Sequence, residues 1–162
     1  METQETIRYQ TMWTITKYAD DKAFAQDRPF EVVRVDGNLL LNEGITALLN
    51  LLTGETETDF SESNAYIGVG DSSTAESASQ TGLQAVTNKL YKAVESGYPA
   101  ISSQTVTWRA IFGSAEANFD WNEFTVCNGS SDSGDNLNRK VSDQGTKASG
   151  QTWTFDLSIT FS

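Results

Sequence analysis

The chain has no histidine and only one cysteine, Cys127, among its 162 residues. Without histidine it cannot build a Ser-His-Asp triad, a Cys-His dyad, a histidine-ligated zinc site or an imidazole pH switch. One cysteine excludes an internal disulfide and any multi-cysteine metal centre. Basic side chains are also scarce, 11 against 22 acidic ones, for a net charge of -11. Such a surface repels phosphate backbones, whose binding needs clustered Lys and Arg, so nucleic acid is not an expected partner. No stretch approaches the ~18 apolar residues of a membrane span, and no membrane partner is expected. The polar start, Met1 to Thr6, does not read as a signal peptide, so the expectation is synthesis in a cytoplasm.

What the chain does have is alternation. In Gln151–Ser162 the residues Trp153, Phe155, Leu157, Ile159 and Phe161 share one parity, with Thr, Asp and Ser on the other. That is the period of a strand with one dry face. Five such side chains are worth about 1.5–3 kcal/mol each if covered, so the upstream chain must supply partner strands and a second layer. Strands are read at Arg8–Tyr18, Phe30–Val35, Ala65–Gly70, Lys89–Glu95, Thr105–Phe112, Phe119–Cys127 (bulged, since its parity slips), Leu137–Asp143 and Gln151–Phe161. The last two are expected to be neighbours. Ala19–Pro29 reads as a loop anchored by Phe24, and Gly-rich segments separate the rest.

One helix is expected, over residues 43–53. Ile45, Leu48, Leu49 and Leu52 recur at i, i+3, i+4 and i+7, and Gly54 stands where a left-handed C-cap belongs. Asn42 or Asn38 is the candidate N-cap, and the leucine face is expected to lie on the sheet. The whole reads as mainly β: a jelly-roll-like sandwich or small barrel of about seven to eight antiparallel strands with one short helix. Residues 1–7 form a flexible arm and 8–162 a single β-rich domain, which at this length buries roughly 70% of its unfolded surface.

Candidate chemistry is thin. Gly68-Val-Gly70 follows a strand but lacks the Gly-Lys-Ser/Thr of a phosphate loop and the third glycine of a dinucleotide loop. It is read instead as a bulge or a close backbone approach. Asp132, Asp135 and Asn136 offer oxygen ligands out of EF-hand register, with solvated turn residues as the plainer reading. Glu116, Asp120 and Glu123 would have to face one another across a sugar to act as a glycosidase pair, and edge-strand protection is the plainer reading. Trp13, Trp108, Trp121 and Trp153 could make a carbohydrate platform, but three lie on inward parities and read as core. Cys127, with no activating partner, reads as an apolar filler. The expectation is no enzyme, no cofactor and no bound metal.

Several motifs resemble one group of proteins. Gly37-Asn-Leu-Leu-Leu-Asn-Glu-Gly44 with the leucine helix, Ala65-Tyr-Ile-Gly-Val-Gly-Asp-Ser-Ser-Thr74 and Gln80-Thr-Gly-Leu83 are similar to a pattern in small virion structural proteins of tailed bacteriophages. Thr105-Val-Thr-Trp-Arg109, Ser114–Phe119, Leu137-Asn-Arg-Lys140 and Thr152–Phe161 extend the resemblance from about Val35 to the end. It implies a capsid decoration, or cement, protein on the outer capsid surface of the virion, with the major capsid protein as partner and itself as homotrimer. Glu2, Thr3, Gln4, Glu5, Thr6 and Ile7 would then grip the lattice, ordering on binding. The alternative is a tail, baseplate or fibre-associated module that attaches to host-surface glycan. A small Asp/Glu hydrolase is the third reading.

Overall fold

The computed structural model describes residues 5–162. Ten strands and two short helices follow in the order β1 (Tyr9–Tyr18), α1 (Asp21–Ala25), β2 (Glu31–Asp36), β3 (Leu39–Leu40), α2 (Asn42–Thr53), β4 (Tyr66–Gly70), β5 (Lys89–Ala93), β6 (Ala100–Ser102), β7 (Thr105–Phe112), β8 (Glu123–Cys127), β9 (Asn138–Val141) and β10 (Thr152–Phe161). They form two antiparallel sheets of five, β2-β1-β10-β7-β6 and β3-β9-β8-β4-β5. This is the expected mainly β sandwich, open rather than closed into a barrel. It has ten strands rather than seven or eight because β3 and β6 span only two and three residues, too few for a period to register. No helix among the described residues is long and apolar enough to cross a membrane.

The pairings are nested. β1·β10 encloses β3·β9, which encloses β4·β8, which encloses the β6·β7 hairpin. A jelly roll has the same nesting but alternates successive pairs between its sheets. Here the outermost and innermost pairs share one sheet and the two middle pairs share the other.

The C-terminal strand is the centre of the first sheet. Leu157 stands opposite Trp13 on one side and Trp108 on the other, and Phe155 opposite Ile15 and Ala110. Trp153, Phe155, Leu157 and Ile159 are buried as their parity requires, while Phe161, at the strand end, is 43% exposed. Across the core, Phe124 of β8 meets Trp13 and Phe155 edge-on, with centroids 4.9 and 4.8 Å apart. Trp121 packs edge-on against Phe112 and Trp153. Such contacts add about 0.5–1.5 kcal/mol each to plain burial.

Four expectations need correction. β9 and β10 are not neighbours: β9 pairs with β3 and β8, whereas β10 pairs with β1 and β7, so the 142–151 connection crosses between sheets. The strand read from Phe119 begins only at Glu123; Asp120 makes a single bridge to Thr146. The loop read at 19–29 contains α1, capped by Asp20 accepting from the Ala23 N–H at 2.7 Å, with Phe24 edge-on to Tyr18.

The fourth concerns α2. Its N-cap is Leu41, with neither Asn42 nor Asn38 supplying a side-chain cap, although Gly54 at φ 76° closes the C-terminus as expected. Its buried residues are Gly44 and Ala47, and Ile45, Leu48, Leu49 and Leu52 are 40, 38, 56 and 81% exposed. The helix therefore sits on its small-residue face. A Cβ on Gly44 would lie 2.4 Å from the Leu137 carbonyl oxygen, so backbone meets backbone there and the leucines are turned outward.

Candidate functional site

At β8 the outer face of the second sheet is as dry as its inner one. Glu123, Thr125 and Cys127 point away from the core, yet each is buried, because the 71–88 segment and the 128–136 loop fold over them. The glycines of β4 make this cover possible. A Cβ on Gly68 would meet the Tyr91 ring at 2.7 Å, and one on Gly70 the Glu123 carboxylate at 2.6 Å. What approaches Gly68 and Gly70 is side chains, Tyr91 and Thr125 at the first and Glu123 and Ala85 at the second, rather than another stretch of backbone.

Glu123 and Arg139 hold this cover in place. Both side chains have 0% exposure and pair at 2.7 Å. Glu123 accepts the Gln84 and Ala85 N–H groups at 2.9 and 2.7 Å, and Arg139 donates to the Thr74 carbonyl and the Gln80 Oε1 at 2.9 and 3.0 Å. An isolated buried charge costs several kcal/mol; here Glu123 takes two backbone N–H groups and Arg139 is hydrogen-bonded through Nε and Nη1, while its Nη2 has only the ion-pair contact with Glu123. Asp132 continues the network, bound to Lys89, to the Tyr91 hydroxyl and to the Leu83 N–H at 3.1 Å. Burial and Asp132 together push the Tyr91 phenol far above its usual range.

The residues considered for chemistry are thus dispersed. Glu116 pairs with Lys92 at 2.7 Å, Asp120 accepts from Thr146, and Glu123 lies under the 71–88 segment, so the three do not face a common cleft. Asp132 is tied to Lys89, and the Asn136 side chain contacts Tyr91 and Thr125. Asp135 stands near Glu57; burial, then that neighbour, raises its carboxyl above the ordinary value. No group of three or more Cys, Asp and Glu is arranged to hold a metal ion among the described residues. All four tryptophans are core, with Trp108 donating to the Phe60 carbonyl at 3.0 Å and Trp121 to the Ala117 carbonyl at 2.9 Å. Cys127 is fully buried, and burial pushes its thiol up to about 12, well away from nucleophile chemistry.

One buried cation was not anticipated. Lys147 has 0% exposure and donates to the Gly113 and Glu116 carbonyls and to Asn118 Oδ1 at 2.8–2.9 Å. Among the described residues no carboxylate is hydrogen-bonded to it, and burial lowers its ammonium to about 8.

No protein-family model, curated protein or solved structure matches the chain. The reading of the site therefore rests on its geometry. An open groove of about 810 Å³ runs between β2 and the 142–146 loop. Of its two cations, Lys17 and Arg34, Lys17 is already bound to Glu31 at 2.5 Å and to the Gln144 carbonyl at 2.7 Å, and lies 4.6 Å over the Trp153 ring.

The surface feature that stands out is apolar. Of the eleven large apolar residues exposed among those described, seven gather at one end of the sandwich: the α2 ridge with Tyr9, Ile101 and Phe161. Tyr9 pairs with Phe161 across the β1·β10 edge, and Leu48 shares with both a cavity of about 100 Å³ floored by Val106, Trp108 and Ile159. Ile101 stands opposite Val106. Just before β1 lie Glu5, Thr6 and Ile7, exposed and outside any strand, with Ile7 at 84%. Glu2, Thr3 and Gln4, the rest of the segment expected to grip a partner, lie outside the described residues.

Proposed function

We propose that the chain is a non-enzymatic virion structural protein of a tailed bacteriophage, a decoration protein that binds the outer surface of the major capsid protein lattice and stabilises the head. In this reading several copies of the chain assemble, as a homotrimer in the form the resemblance implies. The Glu2–Ile7 arm contacts the lattice, and the rigid sandwich carries no cofactor. A ligand that prefers the assembled lattice to free subunits stabilises the lattice by mass action, and that job requires surfaces rather than catalysis.

The observation that carries the reading is where the side chains of each kind lie. Carboxylates that chemistry would use are bonded inside the domain, as Glu123 is to Arg139, while Ile7 and the α2 ridge are offered to solvent. The test is to purify particles, count copies of the chain on a stained gel and image its position. Hundreds of copies on the outer shell, falling when residues 2–7 are deleted, support the reading. A few dozen copies or fewer at the tail would replace it with the host-attachment alternative. Absence from particles would end both.

A further inference from the structure

We infer that the exposed leucine ridge of α2 is the contact between copies of this chain, the ridges of the copies packing against one another about their common symmetry axis. The inference deepens the self-assembly in the reading above and rests on it, but it is argued from the ridge itself.

Its first ground is extent. Seven of the eleven large apolar residues exposed among those described, each 37–81% exposed, belong to the ridge and its border of Tyr9, Ile101 and Phe161, and apolar surface concentrated in this way marks an interaction site. The second is charge. From Gly44 to Gly54 the chain carries no ionisable side chain, although it has 22 acidic residues in all. Two copies each at -11 repel over most of their surface and can approach closely only through an uncharged face. The third is shape. Ile45, Leu48, Leu49 and Leu52 stand at the i, i+3, i+4, i+7 spacing of a helix–helix seam. The ridge has both a projecting knob, Leu52 at 81% exposure, and, at the foot of Leu48, the apolar cavity of about 100 Å³ beside Tyr9 and Phe161. Knob and cavity on one patch are what a symmetric contact needs, since each copy must supply both halves.

The orientation of α2 fits the same conclusion. A helix whose only role is to cover a core buries its large side chains; this one buries Gly44 and Ala47, packs Leu51 against the core, and leaves Ile45, Leu48, Leu49 and Leu52 at 38–81% exposure.

The experiment uses the full chain without particles. Sedimentation equilibrium at ~100 µM should give a mass two or three times 17.7 kDa for the wild type and 17.7 kDa for the Leu49→Ser/Leu52→Ser variant. Circular dichroism should show the variant folded, because both positions are largely exposed. As a second measurement, Leu52→Cys should form an intermolecular disulfide on mild oxidation, whereas Ser130→Cys in the exposed 128–136 loop should not. Cys127 is buried and does not compete. A wild-type monomer, an unchanged mass in the double variant, or equal cross-linking at both positions would overturn the inference. A monomer that still decorates particles would overturn only the inference; an oligomer absent from particles would overturn only the virion reading.

Discussion

Replacing Gly44 with alanine tests the seat of α2, because two effects of opposite sign compete there. In an exposed helix interior the change stabilises by about 1 kcal/mol, since glycine is the poorer helix former. At this position an ideal Cβ would lie 2.4 Å from the Leu137 oxygen, 2.5 Å from the Leu137 Cα and 2.7 Å from the Asn136 oxygen. All three are backbone atoms, and their segment is held from both sides. Leu137 donates to the Val126 carbonyl at 2.7 Å, Asn136 donates to the Glu43 carboxylate at 2.8 Å, and Leu41 donates back to the Leu137 carbonyl at 3.2 Å. To restore ordinary contact the helix must retreat by about 1 Å. That strains the Leu41 and Glu43 hydrogen bonds, worth about 1 kcal/mol each, and adds ~1–3 kcal/mol of overpacking. After subtracting the helix-propensity gain, the net loss is about 2–4 kcal/mol. For a chain of this length that lowers Tm by roughly 5–15 °C, measurable by thermal unfolding followed by circular dichroism. Thr46→Ala, on the exposed side of the same helix, is the control and should be neutral or slightly stabilising. A Gly44→Ala variant as stable as the wild type, or more so, would mean that α2 does not rest on its small face and that its leucines are not the outward side.

Two further outcomes follow from the buried charges. Arg139→Met leaves Glu123 without its cation under the 71–88 segment and should cost about 3–5 kcal/mol, read as a fall in the urea midpoint; an unchanged midpoint would show that the pair does not hold this cover. Lys147 is lowered to about 8 in the fold against about 10.4 in the unfolded chain. Between those values the unfolded state binds the extra proton, so this residue makes stability rise with pH from about 8 to 10 and contributes no pH dependence below that window. Lys147→Met should lack that rise, and parallel stability–pH curves for the two proteins would contradict the assignment.

The long strands were legible because their pattern is local. β1, β7 and β10 alternate over eight to ten residues, and in each the inward parity is the buried one. β8 was not legible in the same way. Both parities of Glu123–Cys127 are buried, so alternation carries no information, and the cover on its outer face comes from segments some 40 residues upstream and just downstream. The one sequence signal was the glycine pair in β4, which marks a place of close approach, although what approaches is side chains rather than the backbone expected. β9 and β10 were assigned to each other on sequence proximity. The competing fact is that β10 already has both edges occupied, by β1 and β7, and only three-dimensional pairing reveals that.

The α2 error has a different origin. Periodicity identifies which residues share a helix face, and it placed Ile45, Leu48, Leu49 and Leu52 together correctly. It does not say which face turns inward. The rule that the apolar face goes to the core assumes that the chain's own sheet is the only apolar surface on offer. Gly44 and Ala47 form a separate inward stripe with the half-buried Leu51, and at Gly44 the helix approaches backbone, which a large side chain there could not allow. A helix with one small face and one leucine face can bury both, the first against its own fold and the second against another surface. On that argument the misplaced leucines mark the part of the fold that the isolated chain leaves uncovered.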